Sequence, residues 1–274
     1  MISLINEDGS KIGIKFTKFS DGCGSVVVGF ISDYSKVWMS CDVEDCNQDI
    51  IKILLVNDAI KRQSTTITVS LHLPYVPQAR ADRVFQEGGC LPIKVFADLI
   101  NSCQFDSVMI KDPHSDVTSA LINNVSIIKQ EQCLKNAMHN ISRYMKDFTI
   151  CAPDLGATKK IFDSVQLLGH DDYIQAIKIR DVETGNIIKC DVVQQEVFGD
   201  VLIVDDISDK GGSFIHLAQL LKQRGADRVG LFVTHAIFPD GLDKLEKDVD
   251  FIWADGIVGT SINQETLLKF NERN

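Results

Sequence analysis

Short apolar runs alternate along this chain with longer stretches of helical spacing. Residues 66–74 predict a strand running into a loop, residues 91–100 a helix with Pro92 tolerated in its first turn, and residues 107–111 a second strand closed by Asp112-Pro113-His114. The second half repeats the scheme. Strands are predicted at 148–152, 173–180, 201–204 and 228–234, with a helix at 214–222 and another at 128–146 between the halves. The four apolar residues Val201, Leu202, Ile203 and Val204 have the character of a parallel strand buried on both faces. Strand–helix–strand order implies mainly parallel sheets with right-handed crossovers. The expected organisation is two tightly packed α/β domains, 1–129 and 130–274, with no Pro/Ser-rich linker, tandem repeat or low-complexity tract.

Composition narrows the function classes. At 274 residues the chain is long enough for one large domain or two ordinary ones, and 45% hydrophobic with 24% charged residues is ordinary for a globular protein. No apolar run approaches the roughly 20 residues of a membrane-spanning helix. The N-terminus lacks a basic region followed by an apolar core, so no secretory signal is expected and the cytoplasm is the expected compartment. A net charge of −10 argues against general nucleic-acid binding but leaves room for a local anion site. The 8 cysteines are irregularly spaced and form no Cys-x-x-Cys pair, so reduced thiols are expected and a structural zinc site is not.

The chemistry concentrates after Val204. Asp205 and Asp206 are expected where the strand ends. Asp209, Lys210, Gly211, Gly212 and Ser213 form the following loop, and a helix begins at Phe214. Ligands of open α/β sheets bind at the carboxyl ends of strands. Adjacent glycines let N–H groups converge on an anion, and the helix N-terminus adds positive potential. The expected guest is a phosphate on a sugar whose ribose hydroxyls donate to Asp205 and Asp206. The segment resembles the ribose-phosphate-binding motif of type I phosphoribosyltransferases and phosphoribosyl-pyrophosphate synthetases, which usually ends Thr-Gly-Gly-Thr.

Other segments resemble the synthetase (ribose-phosphate diphosphokinase) family specifically, in a compact phage- or bacterial-like form. Residues 73–83 are similar to its ATP-contacting segment, with Arg80, Asp82 and Arg83 matching and Ala81 where Gln is usual. Guanidinium forks suit polyphosphate. Asp112-Pro113-His114 resembles the family's Asp-Leu-His, which implies that His114 helps hold Mg²⁺-ATP. Asp154 matches the acid of Pro-Asp-x-Gly, a ligand for Mg²⁺ or the sugar. Lys178-Ile179-Arg180 matches the Lys-x-Arg opening the catalytic loop. From an extended backbone both cations would face one side and neutralise a pyrophosphoryl group in flight. Residues 181–186 are polar and are expected to form the mobile lid. Phe19 and Asp21 lie in a segment similar to Phe-Ser-Asp-Gly-Glu, with Cys23 replacing the Glu, and this implies that they complete the adenine pocket of a neighbouring subunit.

The resemblance runs from about Phe19 to about Asp255. Three departures stand out: Val84 to Cys90 carries no Lys or Arg, Lys210 replaces a Thr, and the final strand and helix are expected to be missing or much shortened after Trp253. The resemblance implies two tandem type I phosphoribosyltransferase-like domains, the first contacting ATP and the second ribose phosphate. It implies a kinase-type transferase of nucleotide biosynthesis acting as a homo-oligomer. With Mg²⁺ as cofactor and ATP bound across the cleft between halves, the β,γ-pyrophosphoryl group passes to the anomeric hydroxyl of ribose 5-phosphate and AMP leaves. The alternatives are the same transfer to ADP-ribose, which would serve NAD metabolism in a phage, a phosphoribosyltransferase, and a non-catalytic regulatory subunit.

Overall fold

The computed structural model describes residues 1–31, 33–170, 172–180, 187–259 and 261–273, with the side chains at 179, 180, 187–189 and 273 outside the described set. The chain divides into two compact units, Met1–Ile128 and Lys129–Asn274.

The first unit runs β1 (Ile2–Asn6), β2 (Lys11–Ile12), β3 (Ile14–Lys18), β4 (Gly24–Val28), β5 (Lys36–Cys41), α1 (Cys46–Gln63), β6 (Thr68–Leu73), α2 (Pro92–Ser102), β7 (Ser107–Lys111), α3 (Asp116–Leu121) and β8 (Val125–Ile128). Its sheet has the order β2-β1-β5-β6-β7-β8, and β3–β4 form a separate hairpin. From β5 to β8 all neighbours are parallel and each step moves the same way. Right-handed crossovers then place α1, α2 and α3 on one face. The core is consistent with this: Val37, Met39, Val69, Leu71, Val108 and Ile110 alternate inward on the strands and meet Ile53 and Ile60 of α1 and Ile93 and Phe96 of α2. Helix α1 starts where Asp45 Oδ1 accepts hydrogen bonds from the Asn47 and Gln48 N–H groups, both 3.0 Å.

The second unit runs α4 (Gln130–Ile141), β9 (Phe148–Ala152), α5 (Thr158–Leu168), β10 (Tyr173–Arg180), β11 (Ile187–Val192), β12 (Asp200–Ser208), α6 (Gly212–Gln223), β13 (Val229–Ala236), β14 (Phe251–Ile257) and α7 (Gln264–Arg273). The sheet order is β11-β10-β9-β12-β13-β14, parallel except for β10–β11. From β9 the chain steps one way to β10, and from β12 it steps the other way to β13. Helices α5 and α6 therefore cover opposite faces, and the strand order reverses between β9 and β12. Cys151, Ala176, Val201, Ile203, Leu231 and Val233 pack toward Phe214, Leu217 and Leu221 of α6. On the other face Tyr144, just past α4, stacks at 5.4 Å on Phe251 and 6.3 Å on Trp253.

Several boundaries differ from expectation for physical reasons. β12 does not end at Val204; its pairing with β13 continues through Asp205↔Val233 to Ser208↔Ala236, because all eight β13 residues are buried and hold it as a central strand. α6 starts two residues early, at Gly212. α4 covers 130–141 instead of 128–146; the residues after it turn, with Tyr144 and Met145 N–H both donating to the Ile141 carbonyl. The final strand and helix are present, which corrects the expected loss after Trp253. β14 runs on to pair Ile257 with Ala236, and α7 starts where Asn263 Oδ1 accepts the Thr266 N–H at 2.8 Å and buries Leu267 and Phe270.

Gly230 on β13 reports how closely the chain after α4 approaches the sheet. A Cβ there would lie 2.7 Å from Met145 Sδ and 2.9 Å from the Trp253 ring. Gly230→Val is expected to cost about 1–3 kcal/mol of overpacking, read as a lower urea midpoint at unchanged slope. An unchanged midpoint would mean that this packing is looser than described.

Candidate functional site

The carboxyl ends of β9, β10 and β12 in the second unit gather a charged cluster. β9 pairs with β12 only as far as Cys151↔Ile203. Beyond that point Asp205 and Asp206 stand beside the β9–α5 loop, at the reversal of strand order where open α/β sheets bind ligands. Asp154 leaves β9 there. Its Oδ1 accepts the Ala157 N–H at 3.1 Å, and its Oδ2 meets Lys178 Nζ at 3.0 Å. Gly156 permits this turn, since a Cβ would sit 3.2 Å from Asp154 Oδ1.

The two adjacent acids are not equivalent. Successive side chains of a strand point to opposite faces. Val201 and Ile203 face α6, so Asp205 shares that side, as does Lys178 after Ile174 and Ala176. Burial first, then the charges of Asp206 and Asp154, push the Asp205 carboxyl well above the ordinary carboxylate range. The Asp206 N–H, donated to Asp205 Oδ1 at 2.9 Å, and the Lys178 ammonium oppose this. Asp206 points the other way, is buried, and has Lys160 Nζ of α5 at 3.8 Å. Lys160 went unnoticed in the sequence. The available signal was a lysine in a first helical turn that has no acidic residue, against the preference set by the helix dipole.

The loop Asp209-Lys210-Gly211 leads into α6. Gly211 has φ +77°, and a Cβ there would lie 2.9 Å from Leu245 Cδ1, so both conformation and space demand glycine. Gly212 and Ser213 open the helix, with Phe214 buried behind them as an anchor. Lys210 is exposed. Arg180 is the last residue of β10, but its side chain lies outside the described residues, as does the whole expected lid, 181–186.

In the first unit β6 and β7 are parallel neighbours, so the loops after them share one edge. Arg83 Nε lies 3.0 Å from Asp82 Oδ1. Burial alone would raise the Asp82 carboxyl, but the Arg83 guanidinium, then the Ser115 side chain and, more weakly, the charge of His114 hold it below its ordinary value. The structure thus brings the Asp82–Arg83 segment and His114 together. Arg80, Arg83 and His114 are exposed. Asp112, two residues before His114, is buried in the left-handed region at φ +32°, a strained conformation at the start of that loop. Phe19 and Asp21 sit in the turn between β3 and β4, closed by the Cys23 N–H donating to Asp21 Oδ1 at 2.9 Å. Phe19 is 52% exposed, which rules out a core role. Among the described residues no group of three or more His, Cys, Asp or Glu side chains could hold a metal ion.

Two tandem α/β units with mainly parallel sheets define a phosphoribosyltransferase-like architecture. A phosphoribosylpyrophosphate synthetase from Mycobacterium smegmatis has this fold, with a TM-score of 0.75 over 97% of this chain and 90% of that one, at 20% identity. No family model matches the chain. Ribose-phosphate pyrophosphokinases are similar in sequence. The relative from Mycoplasmopsis pulmonis is 30% identical over 226 residues, 81% of this chain and 68% of its own length. That from Pyrococcus furiosus is 26% identical over 269 residues, 96% and 92%. The chain belongs to the ribose-phosphate pyrophosphokinase family and is an enzyme. No helix among the described residues is long and apolar enough to cross a membrane.

The crowding of acids has a measurable sign. A carboxyl whose native pKa is raised destabilises the fold once ionised. Stability from this group is complete below the unfolded value, 3.8, and is lost as pH rises through the native value. Asp205→Asn is therefore expected to melt with the wild type at low pH and above it at neutral pH, while losing activity. A melting difference independent of pH would show that ionised Asp205 is not held against burial and the neighbouring charges.

Proposed function

We propose that the enzyme transfers the β,γ-pyrophosphoryl group of Mg²⁺-ATP to the anomeric hydroxyl of ribose 5-phosphate. The anomeric oxygen forms a bond to the β-phosphorus, the bond from that phosphorus to the α,β-bridging oxygen breaks, and AMP leaves. The observation that carries the reading is the convergence of Asp154, Lys178, Asp205, Asp206 and the Gly211–Gly212 turn on one reversal of strand order. The names of the relatives supply the reaction class. The proposed roles are phosphate binding at the α6 N-terminus by the 209–213 loop, hydroxyl binding by Asp205 and Asp206, and charge neutralisation of the moving group by Lys178 with Arg180. Arg80, Asp82, Arg83 and His114 take ATP. No protein nucleophile is required, so positioning and electrostatics supply the acceleration.

The donor set suits Mg²⁺. Magnesium keeps several waters and is held by substrate phosphates with one or two protein groups, which fits single ligands such as Asp154 and His114 and requires no three-residue cage. When bound, the ion screens phosphate charge. Phe19, exposed beside Asp21, supports a role in a neighbour's adenine pocket and hence a homo-oligomer.

A second acceptor, ADP-ribose, is favoured by one observation: Lys210, exposed at the loop, is long enough to reach a second phosphate. Incubation with Mg²⁺-ATP and either acceptor, with products identified by mass, tests both. AMP together with a pyrophosphorylated sugar is expected; ADP formation, or no consumption of either acceptor, would overturn the proposal. Lys178→Ala is expected to lower kcat by a factor equivalent to about 3 kcal/mol with little change in melting temperature. Near-normal turnover would move the chemistry elsewhere. Lys210→Thr is expected to lower kcat/KM for ADP-ribose alone if that is the acceptor, and equal loss on both acceptors would remove the case for it.

A further inference from the structure

Asp206 sits on the opposite face of β12 from Asp205 and Lys178, the face that α5 covers. A carboxylate removed from water without a nearby cation either takes up a proton or turns away toward solvent. Lys160 supplies that cation from the third residue of α5, 3.8 Å from Asp206 Oδ2. Its position is otherwise unfavourable. The first turn of a helix carries partial positive charge and disfavours a lysine, and neither Thr158 nor Lys159 offsets it. The carboxylate of Asp206 on β12 offers that lysine a counter-charge, and the lysine offers one to a buried carboxylate.

We propose that Lys160 is a positioning residue for the acceptor sugar: it fixes the Asp206 carboxylate so that it accepts a ribose hydroxyl. The separation is too long for a hydrogen bond, so the contact acts through charge, and a different cation of similar reach serves equally. Lys160 also belongs to the helix that follows Asp154, so a single rigid element sets both the Asp154 turn and the cation facing Asp206. This ties recognition of the sugar to α5 as well as to the loop before α6.

The inference rests on the proposed use of Asp206 for the acceptor, and the test separates the two. Steady-state kinetics with ribose 5-phosphate and Mg²⁺-ATP would be measured for the wild type, Lys160→Gln, Lys160→Arg and Asp206→Asn. Lys160→Gln is expected to raise KM for ribose 5-phosphate about 10-fold, leaving KM for ATP unchanged and kcat within about threefold. Lys160→Gln is also expected to lower the melting temperature at neutral pH, because the buried Asp206 carboxylate loses a cation, and Lys160→Arg to restore both KM and melting temperature. A merely structural lysine would lower melting temperature or kcat without separating the two KM values. If Asp206→Asn raises KM for the sugar while Lys160→Gln does not, the role given to Lys160 is wrong and that of Asp206 stands. If Asp206→Asn leaves that KM unmoved, or the wild type consumes neither ribose 5-phosphate nor ADP-ribose, the acceptor reading fails and this inference with it.

Discussion

Three carboxylates, Asp154, Asp205 and Asp206, crowd the carboxyl ends of two neighbouring strands, and their repulsion is the constraint around which the second unit is arranged. Burial first, and then the like charges beside it, push the Asp205 carboxyl above the ordinary carboxylate range. The fold answers by separating them. Alternation along β12 sends Asp205 and Asp206 to opposite faces, and each face brings a lysine from a different element: Lys178 from β10 to Asp154, Lys160 from α5 to Asp206. The resulting site is acidic yet locally balanced. It can take up sugar hydroxyls through its carboxylates and anionic phosphate through Lys178 and the α6 N-terminus.

The wiring of the sheets decides where such a cluster can form. In the first unit the strands from β5 to β8 step one way and their helices share a face, so this run contains no reversal. Its candidate residues lie on the loops after β6 and β7, with Asp82, Arg83 and His114 brought together at one edge. In the second unit the reversal between β9 and β12 leaves the end of β12 uncovered on the β9 side. There two loops and a helix N-terminus converge. This division suits one unit that grips a polyphosphate with cations and another that reads a sugar.

Much of this was legible in the sequence where burial on both faces wrote long apolar runs. Val201 to Val204 announced a central strand, and the adjacent Gly211 and Gly212 announced the loop that leads into α6. What stayed hidden depended on backbone pairing that side chains do not record. β12 continues through two aspartates to Ser208 because β13 beside it is wholly buried. β14 likewise continues through Asp255 and Gly256 to Ile257, paired with the same strand. The start of α7 did leave a signal in the chain, Asn263 three residues before Thr266 and ahead of a Leu267/Phe270 stripe. The role of Lys160 could not be read from order alone, because nothing in the chain says that α5 covers the face to which Asp206 points.

The most direct test of the arrangement is where the sugar phosphate binds. Backbone amide ¹H–¹⁵N shifts followed during titration with ribose 5-phosphate, in the absence of ATP, locate it without relying on turnover. The largest changes are expected at Asp206, Gly211, Gly212 and Ser213, with a second group from Asp154 to Lys160. Shifts that leave the 209–213 loop untouched and cluster on the first unit would contradict it.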